Sequence, residues 1–161
     1  MYKYLYGLDY QILRISNPYG PYQNPRSGQG AVRAFLGNVL DNKKIEIWGD
    51  GNVVRDYIYI GDVVEALYLS AIKDTGSHIL NIGSGVGISL NELIDIIINV
   101  VGYKIKVKYT ESRNMYVPIN VLDITRAREE LNWLPSTSID DGIKKTWEWL
   151  KSNAENEWNS Y

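Results

Sequence analysis

The chain contains no cysteine, so it can form no disulfide and has no thiol nucleophile. Histidine is nearly absent too. His78 stands alone, without the Cys/His cluster a zinc site needs, so no metal is expected. It follows Thr75-Gly76-Ser77, a surface turn, whereas a catalytic base would need a partner in a cleft. Long apolar runs are missing. The longest, Leu93 to Val101, is broken by Asp95 and Asn99 and falls short of the ~20 residues of a membrane span. The first residues lack the pattern of a secretory signal. No excess of positive charge exists either. Seventeen Lys and Arg stand against nineteen Asp and Glu, a net charge of −2, which argues against a nucleic-acid footprint. Together these absences lead us to expect a soluble, cytoplasmic protein with neither a membrane nor a nucleic-acid partner.

Phenylalanine occurs once, against thirteen Tyr and five Trp. Rings with a polar tip suit the boundary of a core. Tyr2, Tyr4, Tyr6, Trp147, Trp149 and Trp158 read that way, whereas Tyr19 and Trp48 lie in motifs where a ring could stack on a sugar or base.

What is present fits one domain. The chain has 161 residues, 45% apolar and 22% charged, and is long enough to bury a core. Residues 2–7 read as the end of a helix closed by Gly7, and 10–16 as a short strand. Asn17 to Gly30 holds three of the five prolines and is predicted to be a loop. Ala31 to Leu40 has a helical period. Lys44 to Trp48 alternates as a strand up to the Gly49-Asp50-Gly51 turn, and 53–60 is a second extended piece. Asp62 with Glu65 resembles a capping box for a helix through Ile72. A strand follows at 78–82, then Ser89-Leu90-Asn91-Glu92 caps a helix to Gly102. The remaining elements are a strand at 105–109, a helix at 124–132 capped by Asp123, and a last helix from Asp140 or Asp141 to about Leu150. The polar tail 151–161 is expected to fray. Alternating strands and helices predict the α/β class.

Four stretches carry a resemblance. They are LRISNPYGPYQ from Leu13, IEIWGDGNVVRDYIYIGDVVEAL from Ile45, ILNIGSG from Ile79 and NVLDITRAREELNW from Asn120. Their order and spacing resemble the C-terminal half of the extended short-chain dehydrogenase/reductases, the NAD-dependent sugar epimerase/dehydratase family, in its UDP-glucose 4-epimerase branch. The resemblance implies the C-terminal part of a Rossmann-like fold, a partial parallel sheet plus a small substrate-binding α/β subdomain. Residues 1–150 would form that portion. It implies a UDP-sugar substrate and NAD as cofactor. The family's glycine-rich NAD fingerprint and its catalytic Tyr-x-x-x-Lys find no match here, so no catalytic residue is assigned and the chain alone is expected not to turn over. The same half could serve a 4,6-dehydratase or a decarboxylase. It could also be a non-catalytic nucleotide-binding or interaction module.

The resemblance assigns roles to particular residues. Arg55, in Val54-Arg55-Asp56-Tyr57, matches an arginine that contacts the substrate phosphates, and a guanidinium fork suits a pyrophosphate. The plainer alternative is a surface pair with Asp56, worth little. Arg113 matches a second phosphate arginine, but Met115-Tyr116 stand where relatives carry an Asp. Asn17 matches a residue near the diphosphate–sugar. On its own it is a turn cap before Pro18. Ile15, Ser16 and Pro18 would lie against the nicotinamide. Gln29 and Gly30 open a helix whose free N–H groups favour anions. Glu46 and Trp48 match the strand that cradles uracil through its backbone, with plain packing the rival for Trp48. Gly83-Ser84-Gly85-Val86-Gly87 follows a strand but breaks the dinucleotide pattern at Ile88, so it reads as a tight turn. The strand at 12–15 would have neighbours on both sides in a buried parallel sheet, and an unpaired edge there predicts self-association.

Overall fold

The computed structural model describes residues 1–23, 30–111 and 117–157, with side chains through 153. In chain order it contains α1 (Tyr2–Tyr6), β1 (Ile12–Ile15), β2 (Asn17–Tyr19), α2 (Ala31–Leu40), β3 (Ile45–Trp48), β4 (Val54–Tyr59) and α3 (Ile60–Ile72). There follow β5 (Ile79–Ile82), β6 (Gly87–Ser89), α4 (Leu90–Val101), β7 (Val107–Thr110), β8 (Ile119–Asn120), α5 (Thr125–Leu131) and α6 (Ile139–Glu157). Three small sheets result. β1 runs parallel to β5, and β3 runs parallel to β7. β4 is the hub of the third, parallel to β2 and β8 and antiparallel to β6. This is the α/β class with parallel sheets.

Two hydrophobic clusters hold these sheets, and β4 serves both. The first gathers the apolar stripe of α2 (Val32, Phe35, Leu36, Val39) with Ile45 and Ile47 of β3, α4, α6, and Tyr57 of β4. The second lies under β1 and β5, where Leu80 and Ile82 meet Val63 and Ala66 of α3, Leu131 of α5, and Ile58 of β4. Successive side chains of a strand point to opposite faces. Tyr57 and Ile58 therefore enter different clusters. A fully buried Leu or Ile is worth roughly 1.5–3 kcal/mol relative to exposure, so each cluster supports its own sheet.

Several elements differ from the sequence reading, each for a local reason. Asn17–Tyr19 is not loop but strand, because it pairs with Tyr57–Tyr59 directly after β1 ends. Gly87–Ser89 and Ile119–Asn120 are short strands recruited by the two edges of β4 at Val54 and Arg55. Asp62 does not cap α3, which begins at Ile60. Its buried carboxylate instead accepts from the backbone and hydroxyls of Ser136 and Thr137. Ser138, not Asp140 or Asp141, caps α6, its Oγ accepting from Asp141 N at 3.1 Å. α6 continues past Leu150 to Glu157. Ser89 and Glu92 form the expected reciprocal capping box.

Tyr2, Tyr4 and Tyr6 are not at a core boundary, since α1 buries nothing. Every large apolar side chain from Met1 to Tyr10 is exposed, as are Ile12 and Ile15 of β1. α3 also presents an apolar outer stripe, Val64, Leu67, Tyr68 and Ile72. Among the described residues β1 has β5 on one side and no strand on the other.

Candidate functional site

A cleft of about 430 Å³ opens over the first cluster. Its floor and walls come from β2 (Asn17, Pro18, Tyr19), the start of α2 with its N-cap (Gly30, Ala31, Val32, Ala34, Phe35), β3 (Glu46, Ile47, Trp48), β4 with the residue before it (Val53, Arg55, Tyr57), and Leu90 of α4. A mostly apolar lining with a few placed polar groups is the usual make-up of a small-molecule site.

β4 displays alternate residues into the cleft. Arg55 has β6 on one edge and β8 on the other, since both pair with it. Its Nη1 donates to Val54 O at 2.7 Å and to Val117 O at 2.9 Å. Those carbonyls orient the guanidinium, and its other N–H groups have no hydrogen-bond partner among the described residues. No pair with Asp56 forms, because adjacent strand residues face opposite sides. Tyr57, two residues on, is buried, and burial pushes its phenol up to about 12.

Asn17 does not merely close its own turn. Its Nδ2 donates to Asp56 O at 2.8 Å, 39 residues away. Gly30 is the N-cap of α2 at φ 88° and has no side chain with which to cap it, so the N-terminal end of that ten-residue helix, which lines the cleft, receives no cap from its own N-cap residue. Ile45 N of β3 donates to Lys106 O just before β7, and Gly49 N just after β3 donates to Thr110 O of β7. Odd residues therefore bond β7, and the main-chain groups of Glu46 and Trp48 turn the other way. The Glu46 carboxylate meets Lys108 Nζ at 3.4 Å in an exposed pair.

The structure thus brings Asn17, Pro18, Gly30, Glu46, Trp48 and Arg55 to one cleft. Ser16 lies beneath, donating from Oγ to Asp56, and Ile15 is exposed at the end of β1, away from the cleft lining. Gln29 and Arg113 lie outside the described residues. The flanks of both stretches are at the cleft: Gly30 lines it, Thr110 pairs with Trp48, and Val117 bonds Arg55. The sequence reading missed Tyr57, Phe35 and Leu90. Tyr57 was within reach of it, as the residue two beyond Arg55 on the same strand face.

Below the cleft, Asp56 is fully buried. The Gly83-Ser84-Gly85 turn wraps it: Ser84 N and Oγ each donate at 2.7 Å and Gly85 N at 3.2 Å. A Cβ at Gly83 would overlap the carboxylate, so glycine is required there. This turn, which superficially resembles a phosphate loop, is filled by an anion of its own chain. Among the described residues no group of His, Cys, Asp and Glu could hold a metal.

Comparison with known proteins agrees with this architecture. The model of the NAD dependent epimerase/dehydratase family matches residues 1–83. The chain is 36% identical over 155 residues to a UDP-glucuronate 4-epimerase of Thermodesulfobacterium geofontis, covering 96% of this chain and 47% of that protein. It is 35% identical over 155 residues to a UDP-glucose 4-epimerase of Mycolicibacterium smegmatis, covering 96% and 50%. Among solved structures, the UDP-glucose 4-epimerase of Thermotoga maritima with UDP-glucose is similar at a TM-score of 0.88 and 37% identity, covering 95% of this chain and 49% of that one. The chain spans about half the length of the relatives it matches.

Proposed function

The chain belongs to the NAD dependent epimerase/dehydratase family, and on that premise we propose that it is the nucleotide-sugar-binding portion of a UDP-sugar 4-epimerase. The observation that carries the proposal is the cleft itself. One arginine on a strand and the N-terminus of one helix converge on it, opposite a strand edge.

Each wall has a task in this reading. Arg55, assisted by the N–H groups that follow Gly30, holds the diphosphate. The main chain of Glu46 and Trp48 meets the uracil edge, which presents a donor between two acceptors. Gln29 and Arg113 add contacts from the stretches that border the cleft. Asn17, tied to β4, faces the diphosphate–sugar. Pro18 and the neighbouring Ser16 and Ile15 would line the nicotinamide side. NAD, when bound, supplies the hydride acceptor and donor at sugar C4. In this reading the Gly83-Ser84-Gly85 turn does not serve its diphosphate, because the N–H groups of Ser84 and Gly85 are taken by Asp56. The dinucleotide loop and the acid–base pair would belong to the half of the relatives that this chain does not match. Residues 1–150 are the binding portion in this reading, and α6 closes it.

The exposed apolar side chains of α1, β1 and α3 would drive self-association when no other half covers them. No helix among the described residues is long and apolar enough to cross a membrane. The cytoplasmic location we propose rests on the family alone. Calorimetry with UDP tests the binding role, with saturable binding expected. Incubation with UDP-glucose and NAD⁺ tests the division of labour. No interconversion to UDP-galactose is expected, and turnover at an ordinary enzymatic rate would overturn it.

A further inference from the structure

We infer that Asp56 is a positioning residue for this cleft: its buried carboxylate ties together the three chain segments that orient the cleft's polar side chains. The inference rests on the reading of the cleft given above. A buried carboxylate is costly unless hydrogen bonds satisfy it. Asp56 takes five. Oδ1 accepts from Ser16 Oγ at 3.2 Å and from Ser84 N and Oγ at 2.7 Å each. Oδ2 accepts from Gly85 N and Leu122 N, both at 3.2 Å. The donors lie just past the ends of three different strands: Ser16 after β1, Ser84 and Gly85 after β5, Leu122 after β8.

Those three strand ends lead directly to the cleft. Ser16 precedes Asn17, whose Nδ2 is held by the main-chain oxygen of Asp56 itself. Leu122 follows β8, which pairs with Val54 and Arg55. The same segment supplies the Val117 carbonyl that aims Arg55. Gly85 leads into β6, which pairs with Arg55 on its other edge. One carboxylate therefore sets the seats of Asn17 and Arg55 without touching a ligand. Asp62 provides a matched contrast. It is also a buried carboxylate with four bonds, but its donors, Ser136 and Thr137, do not line the cleft.

The test compares Asp56→Asn with Asp62→Asn in the intact chain. The amide puts an N–H₂ group among donors in either case, so both variants should lose thermal stability. Only Asp56→Asn should also weaken UDP binding, by about tenfold or more, at a temperature where circular dichroism shows both folded. A second readout needs no ligand. The Asn17 side-chain N–H₂ resonances should shift and exchange faster with solvent in Asp56→Asn, and stay put in Asp62→Asn. If wild type fails to bind UDP, the reading of the cleft falls, and the Asn17 resonances still decide the role of Asp56. Should Asp56→Asn not fold, Ser84→Ala removes one donor and should show the same two effects more weakly. Unchanged UDP affinity and unchanged Asn17 resonances in whichever variant folds would overturn the inference, as would equal losses of affinity in the Asp56 and Asp62 variants.

Discussion

Replacing Arg55 by alanine is the sharpest test of the cleft. The guanidinium already makes two bonds to main-chain oxygens, Val54 O and Val117 O. Losing them costs at most about 0.5–1.5 kcal/mol each, and less at Val117, which is exposed so that water can replace the donor. The variant should therefore remain folded. The remaining edge of the guanidinium is what a diphosphate would meet. A hydrogen bond to a charged group contributes about 1.5–3 kcal/mol, which corresponds to roughly 10- to 150-fold in Kd. Arg55→Lys keeps the charge but loses the fork, and should recover only part of the affinity. Calorimetry with UDP at two salt concentrations reads both effects. Wild-type affinity should fall with salt more steeply than that of Arg55→Ala, since a charge pair has been removed. An Arg55→Ala variant that binds UDP as tightly as wild type would refute the reasoning and leave Arg55 as a tie between β4 and the 117–120 segment.

Three further outcomes are expected. Sedimentation at micromolar concentration should show self-association, and Ile12→Lys together with Leu67→Lys should weaken it, because both are large apolar side chains left exposed; a wild-type monomer would refute this. Leu36→Ala, at a fully buried position on the helix that walls the cleft, should destabilise the chain by about 2–5 kcal/mol in urea denaturation. The Glu92 carboxylate accepts from Ser89 Oγ and Ser89 N, which holds it below its ordinary value of 4.5. A depressed carboxylate stabilises fully above its unfolded value and loses that contribution as pH falls through the folded one. Glu92→Gln should thus be less stable than wild type at neutral pH, and the gap should close below about pH 4.5.

Periodicity carried much of the fold. The stripes of α2 and α4 and the capping box at Ser89 were legible because local side-chain spacing decides them. The short strands were not. Asn17–Tyr19 contains a proline, and Ile119–Asn120 has two residues, so neither carries an alternating pattern. Both exist because β4 presents edges for them. Asp62 failed for a similar reason: its spacing to Glu65 copies a capping box, yet its partners lie 74 and 75 residues on. Arg55 and Asn17 stood out as candidate site residues through a resemblance, and the structure adds how each side chain is held. The role of Asp56 was not legible, because its five donors come from three separate segments and none is a sequence neighbour.

The tightness of the Val54-Arg55-Asp56-Tyr57 stretch follows from its being a strand. A period of two puts Arg55 and Tyr57 on one face and Asp56 on the other. A helix would separate adjacent residues by only about a quarter turn, and a loop would fix neither direction. The strand can therefore offer a cation to the cleft from one residue while the next holds the surrounding turns from beneath. Because Asp56 is fully buried and Arg55 only partly so, their substitutions should differ in kind. In the proposed reading, loss at 55 removes a contact to the ligand, and salt should modulate it. Loss at 56 moves the seats of contacts that remain present, and salt will modulate it little, because the carboxylate is shielded from solvent. A salt-dependent defect in Asp56→Asn as steep as that in Arg55→Ala would mean that the carboxylate acts through the field it exerts on the ligand, and not through the segments it holds.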